Sequence, residues 1–593
     1  MVPSCALPGL VIACAIIQSH VISAANIQKP NLQLPPDASA NAQHVIDIFK
    51  SAYGSYKTYA WGHDALAPLT KGYIDDTLIL CEDRNGWGAT IVDSLSTMYI
   101  MGLEDLFKEG VEFTLGIDFS RSKTNDTISL FESTIRYLGS MLSVYELDGQ
   151  KDIRLVNKAR ELADKLIHGW VGNNDLPYNE LDFATNRPVI DVVGIGECTL
   201  TTRQVSFIPS LAVAGSLVLE WYKLSEHTGN NTYRIVAEKA MRRIGMLPSP
   251  LPGLPAQLVD PRTNKPNDTI VTWGGGTDSY FEYLIKYGRL TNNADTVWVK
   301  NWLTAVDSSI IHLAQEPVGT DVEGLLYLGD WADGAIRHIG SHLACFHGGN
   351  WIMGGRLTDN DTIFNYGLKL ADSCWNTYER TATGLGPEIF GYVGPDGDYA
   401  GLMRPTSADL EFYKKNGFYS YGGYQWAHYD LRPEVLESNF YAWRATGDIK
   451  YQKRAHAALT SIEKYCKVEN GYAGLSDVRY IEQPDYIDQT ETFLFAEVLK
   501  YLYLTFVDPS VIHLDKWVLN TEAHPFIAPP SLGTYSITPW VGITGSFNLR
   551  PGNAAWAIEY LRVVAWIAAM LLLGACWRLR HKALKRGDTH SGL

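Results

Sequence analysis

The stretch "SVYELDGQKDIRLVNKARELADKLI", residues 143–167, reads as an αα-hairpin: an apolar-aromatic run, a glycine at the turn (Gly149), then a second run with alanines at helical spacing. In the second run Leu155, Ala159, Leu162 and Leu166 form one apolar stripe, and the small Ala159 and Ala163 would let a neighbouring helix approach closely. The pattern recurs loosely in "EWYKLSEHTGNNTYRIVAEKAMRRI", residues 220–244, and "YAWRATGDIKYQKRAHAALTSIEKY", residues 441–465, with Gly229 and Gly447 at the turns. Helical patterns also cover 88–102, 130–147, 278–287, 296–313, 363–381, 433–446 and 491–507.

Gly/Pro/aromatic-rich connections, 247–278 and 386–434, are too long for simple linkers and read as binding loops or small strands on one rim. No low-complexity linker divides 41–526, so the expectation is one helical toroid: a ring of paired helices around an axial funnel that something must plug.

The 593 residues carry a formal net charge of −15, and 12% are aromatic. That balance argues against a nucleic-acid partner, whose phosphates need a basic face. Rings for stacking and carboxylates for hydrogen bonding fit a carbohydrate-handling surface better. Residues 1–25 have an apolar centre and end in small residues, as a secretory signal does, although they lack a basic n-region. Sequons at Asn125, Asn230, Asn267 and Asn360 fit passage through the secretory pathway. At the other end "VVAWIAAMLLLGACW", residues 563–577, precedes a basic tail. As a helix it reaches roughly 22 Å, short of the ~30 Å hydrocarbon core. Leu561 and a snorkelling Arg562 could lengthen it into a membrane anchor with a cytosolic tail; the alternative is a helix packed on the globular domain.

Several carboxylates stand at helix starts. Glu132 and Arg136 are i,i+4, as are Asp278 and Glu282; Glu434 and Glu437 are i,i+3 after Pro433; Phe493 and Glu497 are i,i+4, with Glu491 in the first turn. Each such pair alone is more often a surface ion pair or a helix-start carboxylate. Glu497 differs, because its neighbours are apolar and a glutamate so embedded needs a partner. Inward carboxylates around one funnel repel unless protons or a cation hold them. In "VLNTEAHPF", residues 518–526, Thr521 offers a hydroxyl and a carbonyl, and a hard cation such as calcium suits that oxygen set. No His/Cys spacing supports zinc, no local signature supports Ser-His-Asp or Cys-His chemistry, and "WGGGTD" lacks the lysine of a phosphate loop.

At these residues the chain resembles glycoside hydrolase family 47, the class I α-1,2-mannosidases. The matching segments are "NGWGATIVDSLSTMYIMGL", "LFESTIRYLGSMLSVYELDG", "GGGTDSYFEYLIK", "HLACF", "LRPEVLESNFYAWRATGD", "ETFLFAEVLKYLYLTF" and "LNTEAHP", in family order across 41–526. The resemblance implies an all-α-dominated (α/α)7 barrel plugged by a C-terminal β-hairpin, with Ca2+ at the hairpin tip. It implies an inverting hydrolase that trims high-mannose N-glycans. Glu132 would protonate the leaving oxygen, Asp278 is the second candidate for that role, and Glu434 would be the base. Thr521 would bind calcium directly; Glu437, Glu497 and Glu522 would act through water and on sugar hydroxyls; Arg136, Arg432, Glu491 and Phe493 match sugar-contacting positions.

The resemblance also pairs Cys345 with Cys374; a Cys81–Cys198 bridge would leave Cys466 free. Two departures stand out. Ser341 replaces an aspartate found in many relatives, and Gly276 stands where narrow-specificity relatives carry arginine, which suggests an opened site and removal of several mannoses, towards five. The expected organisation is a signal at 1–25, a catalytic domain at 41–526, an extension at 527–560, a candidate anchor at 561–577 and a basic tail at 578–593. The protein is expected to be monomeric, either in Golgi or endoplasmic reticulum membranes with the catalytic domain luminal, or secreted if 561–577 is no anchor. The competing reading is a mannose-binding quality-control lectin of the same fold.

Overall fold

Residues 143–167 fold as expected into the helices Gly139–Leu147 and Ile153–Leu166, turning through Gly149 at φ +71°, a backbone conformation that costs glycine little. The Asp152 side chain caps the second helix by accepting from the Arg154 amide, and Leu155, Ala159, Leu162 and Leu166 are buried. In this computed structural model the described residues are 25–75, 85–124, 126–189, 209–397, 399, 404–420, 426–482 and 484–536.

The same unit repeats as Val218–Thr228 with Thr232–Ile244 and as Glu434–Thr446 with Ile449–Tyr465. Ala89–Ile100 pairs with Glu104–Leu115, Asp278–Leu290 with Val297–His312, Phe346–Leu357 with Asp361–Glu379, and Leu499–Phe506 with the N-terminal helix Ala38–Tyr59. The members of a pair differ in burial. Asp278–Leu290 and Glu434–Thr446 are buried almost all round, whereas Thr232–Ile244 and Ile449–Tyr465 bury one face and leave the other to solvent. The enclosed helices contact one another in a circuit: Ala89–Ile100, Gly139–Leu147, Val218–Thr228, Asp278–Leu290, Phe346–Leu357, Glu434–Thr446, Leu499–Phe506, and back to the first through the turn Leu494–Val498. The described chain is mostly helical, as expected.

Strands Trp517–Leu519 and Pro525–Ile527 pair antiparallel, with Val518 opposite Phe526, and pack against Gly139–Leu147 and Asp278–Leu290. The approach is close: a Cβ on Gly139 would lie 2.7 Å from Nδ2 of Asn520, at the hairpin tip. Residues 25–28 join the base of this hairpin, where the Ala25 amide donates to the Leu532 carbonyl (2.7 Å) and the Ile27 amide to Asp515 (2.6 Å).

The helices Ala38–Tyr59, Glu104–Leu115, Leu211–Gly215, Phe346–Leu357 and Ser407–Asn416 escape the sequence reading, and for the last two the structure gives the physical reason. Phe346–Leu357 contains four glycines, which lower helix propensity, yet a Cβ on Gly354 would sit 2.1 Å from the Trp302 ring, so packing selects glycine there. Ser407–Asn416 lies inside a connection read as loops and strands, and is set by a Thr406–Asp409 capping box. Small strands do occur in both long connections, among them Val259–Asp260 and Ile389–Gly391.

Cys345 and Cys374 form a disulfide that ties the start of Phe346–Leu357 to its outer partner, and Cys466 is a buried free thiol. Asn230 and Asn267 are exposed, and the side-chain oxygen of Asn360 caps Asp361–Glu379. Asn125, Cys81, Cys198, the 1–24 part of the signal, and 561–577 lie outside the described residues. Among the described residues no helix is long and apolar enough to cross a membrane. Replacing Cys345 and Cys374 together by alanine is expected to cost roughly 2–4 kcal/mol, read as a lower urea midpoint by circular dichroism; an unchanged midpoint would show that the crosslink is dispensable.

Candidate active site

Ser129 starts the first site helix by accepting from the Glu132 amide (3.1 Å), which fixes Glu132 at its N-terminal turn. The backbone then widens into a π-helical turn, Ser133–Leu138, that carries Arg136 inward. Its guanidinium knits four elements: Nε donates to Glu132 (2.8 Å), and one terminal nitrogen reaches Glu522 (2.8 Å), Thr492 (3.3 Å) and Asp93 (3.4 Å). A second π-turn, Leu494–Val498, places buried Glu497.

Asp278 and Glu282 share a helix face, and Lys286, one turn further, pairs with Glu282 and lies 3.8 Å from Glu437. Burial, then repulsion from Glu282 and Glu434, pushes the Asp278 carboxyl up to about 7. Burial raises Glu437 to about 8, with Lys286 opposing and Glu282 and Glu434 adding. Glu497 rises well above its ordinary value through burial and the charges of Glu522, Glu434 and Glu437. These carboxylates therefore face one another. Glu434 is braced: Nδ1 of His342 lies 2.6 Å from it, and Nε2 of the same ring 2.6 Å from the Tyr378 hydroxyl. Nε of Arg432 donates to both Glu388 oxygens (2.9 and 2.7 Å), and its guanidinium carbon lies 5.6 Å from the Phe493 ring centroid. Glu491 is fully buried and accepts from Gln489.

Thr521 sits half-buried at the hairpin tip, between the buried Asn520 and Glu522. Among the described residues no three His, Cys, Asp or Glu side chains converge as direct metal ligands. The donor set on offer is instead one threonine hydroxyl and carbonyl beside carboxylates that raise each other's pKa, which fits a hard cation with water-mediated carboxylates.

Most of the expected residues thus form a connected cluster, while Glu491 is placed by its bond from Gln489. The cluster's bracing groups have no local signal: His342 is 92 positions from Glu434, and Glu388 is 44 from Arg432. His342 does lie in the quoted "HLACF", so that motif contains one signal left unread. Of the two departures, Ser341 turns its hydroxyl to the Ala344 amide (3.1 Å). Gly276 has φ +85°, and a Cβ there would lie 2.6 Å from Nε2 of Gln257, which donates to Gly275. Gln257 therefore fills the space a side chain at 276 would enter.

Carboxyls in unlike environments, one raised towards neutrality and one braced by a histidine, are the pairing that acid–base chemistry uses. The sequence profile described as Glycosyl hydrolase family 47 matches residues 48–528. The chain is 37% identical over 544 residues to a protein of Aspergillus clavatus named "Probable mannosyl-oligosaccharide alpha-1,2-mannosidase 1B", covering 88% of this chain and 98% of that one. It is likewise 37% identical over 508 residues to the Aspergillus oryzae mannosyl-oligosaccharide alpha-1,2-mannosidase 1B, covering 82% and 92%. Among solved structures, the alpha-1,2-mannosidase from Trichoderma reesei superposes with a TM-score of 0.75 at 32% identity, over 83% of this chain and 99% of that one. The chain belongs to glycosyl hydrolase family 47.

Between its ordinary value of 3.8 and about 7, folded Asp278 keeps a proton that the unfolded chain has lost, so this group lowers stability as pH rises through that window. In chelator, Asp278→Asn should gain on wild type by about 1 kcal/mol per pH unit there, measured by urea unfolding from pH 4.5 to 7. A difference that does not change with pH would refute the raised carboxyl.

Proposed function

We propose that this chain is an inverting, calcium-dependent α-1,2-mannosidase that removes terminal α-1,2-linked mannose from high-mannose N-glycans, several residues in turn, towards a five-mannose product. The observation that supports this is the cluster of buried carboxylates, with Asp278 near neutrality and Glu434 braced by His342, in a chain of this family. Glu434 takes a proton from the attacking water. Asp278 or Glu132 gives one to the leaving oxygen; a group at about 7 is still substantially protonated at neutral pH, which supports Asp278 in that role. Arg136, Arg432, Glu491 and Phe493 contact the sugar, and Glu437, Glu497 and Glu522 orient its hydroxyls and the waters of the site. When bound to Thr521, calcium supplies a hard centre for sugar hydroxyls and water.

The circuit of paired helices supports an (α/α)7 barrel with the hairpin as its plug. The 1–25 and 561–577 segments support entry into the secretory pathway and a C-terminal anchor, with 41–526 as a luminal, monomeric catalytic domain, 527–560 as its extension and 578–593 as the cytosolic tail. The resemblance implies that lectin-like relatives lack the Cys345–Cys374 disulfide, so its presence counts against the lectin reading.

Purified enzyme given a nine-mannose N-glycan should release β-mannose, proceed to five mannoses and lose activity in strong chelator; an unchanged glycan beside an active control enzyme would defeat the assignment. Glu434→Gln should lower kcat by roughly 10²–10⁴-fold while still binding the sugar, and near-normal turnover would remove Glu434 from the base role.

A further inference from the structure

Two buried ionisable side chains outside the sugar-facing cluster grip the hairpin tip from opposite sides. Glu220, fully buried in the first turn of Val218–Thr228, accepts at one oxygen from the Tyr283 hydroxyl (2.7 Å) and from Nδ2 of Asn520 (2.7 Å). The same Tyr283 hydroxyl accepts from the Thr521 amide (3.3 Å). Glu220 therefore holds the side chain just before Thr521 directly and the Thr521 backbone through one phenol. Asn520 extends that hold: its oxygen accepts from the amides of Glu522 (3.0 Å) and His524 (2.8 Å), and its nitrogen also donates to the Ile135 carbonyl (2.9 Å).

On the other side Lys500, also fully buried, donates to the Ala523 carbonyl (2.7 Å) and to the Ser96 hydroxyl (2.9 Å), which lies 2.9 Å from Nδ1 of His524. Ala523 has φ +54°, a conformation that disfavours non-glycine residues, so the turn depends on partners that hold it.

A buried ionisable group is costly, and packing alone would be served as well by leucine. What the polar pair adds is direction. Every backbone group at 521–524 that these residues reach is fixed relative to two inner helices, and the threonine oxygens lie on that backbone. We infer that Glu220 and Lys500 are positioning residues that hold the Thr521 oxygens in register for a cation and so set cation affinity from behind the hairpin. This rests on the calcium reading above.

Chelator-stripped full-length wild type, Glu220→Ala, Glu220→Gln, Lys500→Met and Tyr283→Phe are titrated with calcium chloride by calorimetry, and each is melted in excess chelator. The expectation is a Kd raised at least tenfold in Glu220→Ala and Lys500→Met and several-fold in Tyr283→Phe. Glu220→Gln, which keeps an oxygen acceptor, should stay within about threefold of wild type, and chelator melting temperatures should not track these losses. Wild-type Kd in folded Glu220→Ala or Lys500→Met would overturn the inference. Should either fail to fold, Tyr283→Phe decides, since it keeps the ring and removes the hydroxyl that links Glu220 to the Thr521 amide; wild-type affinity there would overturn the inference equally. Wild type that takes up no calcium would instead refute the cation reading itself.

Discussion

Like charges in a poorly hydrated space repel strongly, and that constraint organises this molecule. Burial together with the charges of Glu522, Glu437, Glu434 and Glu282 raises Asp278, Glu437 and Glu497, while Arg136, Lys286 and Arg432 offset part of the charge. A chain can keep such a cluster only if the rest of the fold holds it together. The circuit of enclosed helices does so, packed against their outer partners through an apolar core to which both contribute.

The three helical pairs that turn at Gly149, Gly229 and Gly447 were legible because each obeys a simple rule: a 3.6-residue apolar period, a glycine at the turn, then a second period. Phe346–Leu357 breaks the rule because contact with Trp302 and Tyr441 selects glycine against propensity. The two π-turns were invisible for another reason. Each sits within helices buried almost all round, where no apolar stripe marks its phase, yet it decides where Arg136 and Glu497 point.

In the site, carboxylates spaced three or four positions from a partner could be read locally, and Glu497 could be picked out by its apolar neighbours. What reading along the chain could not supply was the bracing: His342 between Tyr378 and Glu434, Glu388 on Arg432, and Lys286 reaching Glu437 on another helix. Such pairs leave no mark on spacing, because they are made by helices meeting rather than by neighbours along one helix.

The bond between Ala25 and Leu532 brings the first and last parts of the described body together at the hairpin's base. Anything fused to either end therefore pulls on the same small area, remote along the hairpin from Thr521.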